Sequence, residues 1–132
     1  MAEHIVPVGQ TITLTIYADQ EYSVQEVAVN TNEQYEFSVD PADRWKDSKI
    51  PSSARGFFNI FAWIAGLRVK GVKCFCLCAC IGKDDTTAFP IGLGATKTFK
   101  GDGGMLSFFA NDTRGYYHNN HGSVQLKIKR IV

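Results

Sequence analysis

The segment Asn111-Asp112-Thr113-Arg114-Gly115-Tyr116-Tyr117-His118-Asn119-Asn120-His121-Gly122-Ser123 carries the chemistry most worth reading in this chain. It sets one carboxylate and two adjacent carboxamides within nine residues, Asp112 to Asn120, around a glycine bend. Hard cations take oxygen ligands, and Ca²⁺ gathers about 6–8 of them at roughly 2.3–2.6 Å from carboxylates, amides, carbonyls and water. Asp112, Asn119, Asn120 and a carbonyl turned inward at the bend, such as that of Tyr116, supply much of such a shell. A single carboxylate leaves a divalent ion short of neutrality and open to further neutral oxygens, of which a pair of sugar hydroxyls is one kind. The same residues also fit an Asx-rich surface turn whose side chains cap their own backbone.

The flanking elements must pin the two ends of this loop. Met105–Ala110 reads as an apolar strand entering it, and Val124–Val132 as a strand leaving it, with Val124, Leu126 and Ile128 inward and Gln125, Lys127 and Lys129 outward. Similar short alternating runs occupy residues 11–17, 24–30 and 34–39, the last stopped by Asp40-Pro41. Shorter runs follow at 88–93 and 95–99, and Lys100–Gly104 makes a turn. Residues 40–56 read as a long irregular loop, a usual place for binding groups. Residues 57–67 fit either a buried strand or a short apolar helix, and 69–81 reads as one strand. The expected fold is all-β: a jelly-roll-like β-sandwich of two antiparallel sheets, formed as a single domain over residues 1–132.

The 45% hydrophobic and 20% charged composition is that of a globular domain. A net charge of +1 gives no reason to expect nucleic acid. Its distribution is uneven, with nine acids and three bases in residues 1–50 against four acids and eleven bases in 51–132. Gly56–Leu67 is too short to span a bilayer, so no membrane insertion is expected. No signal segment is visible at the N-terminus, which predicts a cytoplasmic protein, with any release by a non-Sec route. Cys74, Cys76, Cys78 and Cys80 have strand spacing and would share one face; the reading is four reduced, apolar thiols.

Other candidate chemistry is weaker. His118 and His121 leave a zinc or nickel site conceivable, although the amides between them suit calcium better. Asp84-Asp85 reads as a solvated turn pair, and Gly101-Asp102-Gly103-Gly104 lacks the Lys-Ser/Thr of a phosphate loop. The chain is therefore not expected to be an enzyme. Trp45, close to the loop, is either a sugar-stacking ring or a buried anchor. Trp63 is either core or part of a subunit interface.

Phe109-Ala110-Asn111-Asp112, Gly115-Tyr116-Tyr117, and Asn119-Asn120-His121-Gly122-Ser123-Val124 together resemble the calcium-site segment of the bacterial galactophilic lectins of the LecA type. Pro41-Ala42-Asp43-Arg44-Trp45 is similar to that family's Pro-x-x-basic-Trp, and Ile81-Gly82 to an equivalent dipeptide. The likeness is good over 105–132 and plausible over 27–56, while 59–73 does not align. It implies one Ca²⁺ held by the side chains of Asp112, Asn119 and Asn120 and by the carbonyls of Tyr116 and Val39. Two vicinal sugar hydroxyls would complete the shell, with Asp112 and Asn119 also hydrogen-bonding the sugar and with Thr113, Arg55 and Trp45 beside it. The His and Gln that the family uses to reach a hexose's primary alcohol have no counterpart in Ser52–Gly56. Galactose specificity is thus left open, and Arg55 and Arg114 leave room for a relaxed or an acidic-sugar preference. The partner expected is a glycan, bound by a homo-oligomer because single sugar sites gain avidity by multiplicity. The alternative is a structural or assembly sandwich that has lost sugar recognition.

Overall fold

The structure is a computed structural model that describes residues 3–101 and 103–132. Asp102, in the turn expected at 100–104, lies outside the described residues. In chain order the strands of the first half are β1 (Glu3–His4), β2 (Thr11–Tyr17), β3 (Glu26–Val29), β4 (Gln34–Val39), β5 (Trp45–Asp47) and β6 (Ile50–Ser52). A short helix, α1 (Ile60–Ala65), separates them from β7 (Leu77–Ile81), β8 (Asp84–Pro90), β9 (Gly94–Thr98), β10 (Gly104–Ala110) and β11 (Asn120–Arg130).

They form the expected two-layer sandwich. One sheet runs β1-β3-β10-β7-β8, and the other runs β6-β5-β11-β4-β9 with β2 also on β11. One pair departs from the antiparallel expectation: β1 lies parallel to β3. Leu14, Ile16, Phe37, Leu126 and Ile128 from one sheet meet Leu77, Ala79, Leu106 and Phe108 from the other in a single buried core. Each of these Leu, Ile and Phe side chains contributes about 1.5–3 kcal/mol by leaving water. No helix among the described residues is long and apolar enough to cross a membrane.

Strand β11 organises the molecule. Along one edge it pairs first with β5, at Asn120↔Asp47 through Gly122↔Trp45, and then with β4 from Leu126↔Val39 onward. The change of partner follows Gly122, whose φ of +81° only glycine adopts cheaply. An added Cβ there would stand 3.3 Å from the Trp45 backbone.

Two sequence expectations change, and one open alternative is decided. Residues 40–56 hold the β5–β6 hairpin, whose three-residue strands are too short for alternation to reveal. Residues 57–67 contain α1, capped by the Asn59 side chain, which accepts from the N–H groups of Phe61 and Ala62. No residue of the helix is buried, and Trp63 is exposed, not core. The strand expected at 69–81 begins only at Leu77, because Phe75 takes a φ of +65° that breaks the extended run.

That break also divides the cysteines, all of which are buried and free. Cys74 packs into the main core, while Cys76, Cys78 and Cys80 lie with Phe109 on the outer face of the first sheet. Residues 66–73 fold across this face as a strap. Asn111, fully buried at the end of β10, accepts from the Val69 N–H at 2.9 Å and donates to the carbonyls of Val69, Val72 and Lys73. The Arg68 guanidinium lies 3.5 Å over the Phe109 ring and pairs with Asp85 at 3.0 Å.

Candidate functional site

Strands β10 and β11 deliver the two halves of the loop from opposite sheets. Between them, Gly115 (φ +85°) bends the chain, the Tyr116 N–H bonds the Thr113 carbonyl, and Tyr117–Asn119 forms one 3₁₀ turn. Buried Tyr117 pins this turn by donating to the Ala110 carbonyl at 2.6 Å and accepting from Arg68 at 2.9 Å.

The Asp112 carboxylate is 5% exposed. It accepts from the Thr113 N–H at 2.7 Å through Oδ1 and from the Asn120 amide nitrogen at 2.9 Å through Oδ2. The same Asn120 nitrogen donates to the Ala18 carbonyl at 3.0 Å, which fixes which end of the amide is oxygen. Asn120 Oδ1 is then left buried with no partner, as is Thr113 Oγ1. Buried polar atoms are nearly always satisfied, so an orphaned acceptor beside a buried carboxylate calls for an explanation.

A cavity of about 190 Å³ opens over this spot. Asp47, Asn59, Asp112, Thr113 and Asn119 give it polar walls, and Phe61, Ala62, Ala65 and Tyr116 give it apolar ones. Asp47 carries no sequence signal for this place, because residues 40–56 read as irregular loop. The β5–β11 register makes it the cross-strand partner of Asn120, so the two side chains leave the same face. The Ser48 N–H holds the Asn119 carbonyl at 3.0 Å, and Asn59 donates to Asp47 at 3.5 Å.

Burial pushes the Asp112 carboxyl above its ordinary range, and the nearby Asp47 charge adds to the shift against the bonds from Asn120 and Thr113. Burial also raises Asp47, opposed by the bond from Asn59. The Cys74 thiol beneath them is pushed up to about 12 by burial and by both carboxylates. The pocket thus concentrates negative charge without a cationic side chain lining it.

The fold brings Asp112, Thr113, Tyr116 and Asn119 to this cavity, and Asn120 reaches it only through its bond to Asp112. The remaining candidates lie elsewhere. Val39 pairs with Leu126, six residues along β11 from Asn120, and its place beside the loop belongs to β5. Trp45 is fully buried, edge-on to Phe75 at 5.8 Å, so the anchoring alternative describes it and its ring has no free face for a sugar. Arg55 is exposed beyond the cavity rim. Arg114 is held away by Glu21 at 3.0 Å, by Asp85 at 2.9 Å and by the Tyr22 hydroxyl. Both histidines of the loop are exposed.

No protein-family model and no curated protein sequence matches the chain. A solved structure does: the N-terminal domain of EclA, described as a PllA-like lectin. It is 16% identical, with a TM-score of 0.64 over 89% of this chain and 94% of that one. This protein therefore has a lectin-type β-sandwich fold.

Proposed function

We propose that the chain is a calcium-dependent carbohydrate-binding lectin whose site is the cavity above Asp112 and Asn120. The observation that carries this reading is the partnerless Asn120 Oδ1, on a side chain bonded to the buried Asp112 carboxylate that lines a part-polar, part-apolar pocket. A hard cation satisfies that acceptor and offsets the buried charge, and the donor set is oxygen throughout. Asp112, Asn119, Asn120 and the Tyr116 carbonyl are the groups that would hold Ca²⁺. When bound, the ion offers open positions to ligand hydroxyls.

The chain's own residues do the rest. Asp112 and Asn119 accept from or donate to those hydroxyls, and Thr113 Oγ1 is a further polar contact. Phe61, Ala62 and Tyr116 present an apolar wall of the kind on which the C–H face of a sugar packs. The resemblance to galactophilic lectins of the LecA type and the lectin-domain neighbour both support the reading, while galactose itself remains one option among hexoses. The homo-oligomer expected for avidity belongs to the same proposal, and light scattering tests it.

Isothermal calorimetry with calcium, with and without EDTA, followed by a glycan array, decides the matter. Calcium heat together with calcium-dependent glycan signals supports a lectin. Calcium heat with no glycan signal at all points to a structural sandwich that keeps its ion, and no calcium heat removes the proposed site.

A further inference from the structure

The loop by itself offers one carboxylate, but the folded cavity offers two. Asp47 stands directly across the sheet from Asn120, and its side chain lines the same cavity as Asp112. Two observations fix where that carboxylate acts. The Asn59 amide, whose oxygen caps α1, turns its nitrogen toward Asp47 Oδ2 at 3.5 Å. The Asn120 side chain beside it is 2% exposed and keeps its oxygen unpartnered. No Lys, Arg or His side chain lines this cavity, and Arg114 is committed to Glu21 and Asp85.

We propose that Asp47 is the second anionic wall of the sugar site and the residue that sets the charge class of its ligand. The inference rests on the calcium-lectin reading above. With a divalent cation in place, the formal charges of Asp47, Asp112 and the ion sum to zero. The cavity then has no net positive charge with which to attract a carboxylated sugar, and Asp47 repels one directly at short range in a partly desolvated pocket. A neutral saccharide meets no such repulsion and can donate a hydroxyl to Asp47, and an amino sugar can donate an ammonium group. The ligand class is therefore a neutral or amine-bearing saccharide, and sialic and uronic acids are turned away. Asp47 also strengthens the hold on the cation, because affinity for Ca²⁺ rises with the number of charged oxygen ligands near it.

The test compares wild type with Asp47→Asn, which preserves side-chain shape and the backbone pairing of β5. Calcium is titrated calorimetrically, and glycan arrays carrying neutral, amino, sialylated and uronic-acid saccharides are read at saturating calcium. Wild type is expected to signal on neutral or amino sugars and not on the acidic ones. In Asp47→Asn, calcium Kd rises roughly tenfold and the ratio of acidic to neutral signal rises several-fold, in line with the loss of one near charge. Asp47→Ser shows the same two changes if the asparagine variant melts early. Unchanged calcium affinity and an unchanged acidic-to-neutral ratio in both variants overturn the role of Asp47 while leaving the lectin intact. A wild type that binds neither calcium nor any glycan removes the underlying reading, and the role of Asp47 falls with it.

Discussion

Replacing Asp112 with alanine should erase the protein's thermal response to calcium. Under the proposed calcium site, wild type at a calcium concentration about 100 times Kd should gain about 2.7 kcal/mol, the amount expected of an ion that binds only the folded state. For a domain of 132 residues, each kcal/mol shifts Tm by about 3–5 °C, so the expected rise is about 10 °C. The metal-free variant suffers two opposing effects. The Thr113 N–H loses its 2.7 Å acceptor, a cost of about 1–3 kcal/mol if it stays dry, while Asn120 keeps its bond to Ala18. Against that, a carboxylate pushed up by burial and by Asp47 is removed, which relieves the fold. The net change without metal is therefore small, and the diagnostic quantity is the difference between scans with calcium and with EDTA. Differential scanning fluorimetry at several calcium concentrations measures it directly. A full calcium shift in Asp112→Ala would refute the assignment of this carboxylate to the ion.

Three further outcomes follow from the framework around the site. Gly56→Ala should cost more than about 3 kcal/mol in urea unfolding, since its φ is +82° and a Cβ would stand 2.4 Å from the Cys74 carbonyl oxygen. Asn111→Ala should release the strap, with a loss of about 3 kcal/mol and new proteolytic cleavage within 66–73, because several buried bonds go at once. Asp85 is opposed by burial, but Arg68 and Arg114 hold it below the usual carboxylate range. Its contribution is therefore present above the ordinary carboxylate pKa of about 4 and is lost as the pH falls through the lower folded value. Asp85→Asn should flatten that acid limb and reduce stability near neutrality by about 1–3 kcal/mol, which acid-induced unfolding followed by circular dichroism would show.

Long alternating strands were legible in the sequence, because a period of two over five or more residues is hard to mistake. Residues 34–39 and the inward set Val124, Leu126 and Ile128 stand where alternation puts them. The β5–β6 hairpin was not legible, since three residues per strand cannot establish a period. The hairpin matters chemically, because only the β5–β11 register makes Asp47 a neighbour of Asn120. Val39, whose carbonyl the family resemblance implies as a ligand, is set opposite Leu126. Locally, Asp112, Thr113, Tyr116 and Asn119 were legible because a short glycine-centred loop holds its own members close whatever the wider fold does. The Cys74–Cys80 run misled in part, because spacing shows what a strand would do and gives no sign of where Phe75 ends it.

The exposed helix α1 touches the cavity only through Phe61, Ala62 and Ala65 and through the Asn59 cap, and none of its residues is buried. Of its residues only Ala62 packs against the core, so α1 is far less constrained than β10 and β11, whose inward side chains belong to that core. Under the calcium-lectin reading, the apolar rim and the inner oxygens of the site are consequently carried by separate stretches of chain. If the calcium-lectin reading holds, a library randomised at the exposed positions 61 and 65 would re-shape the outer rim and select new sugar preferences while the inner oxygens stay in place.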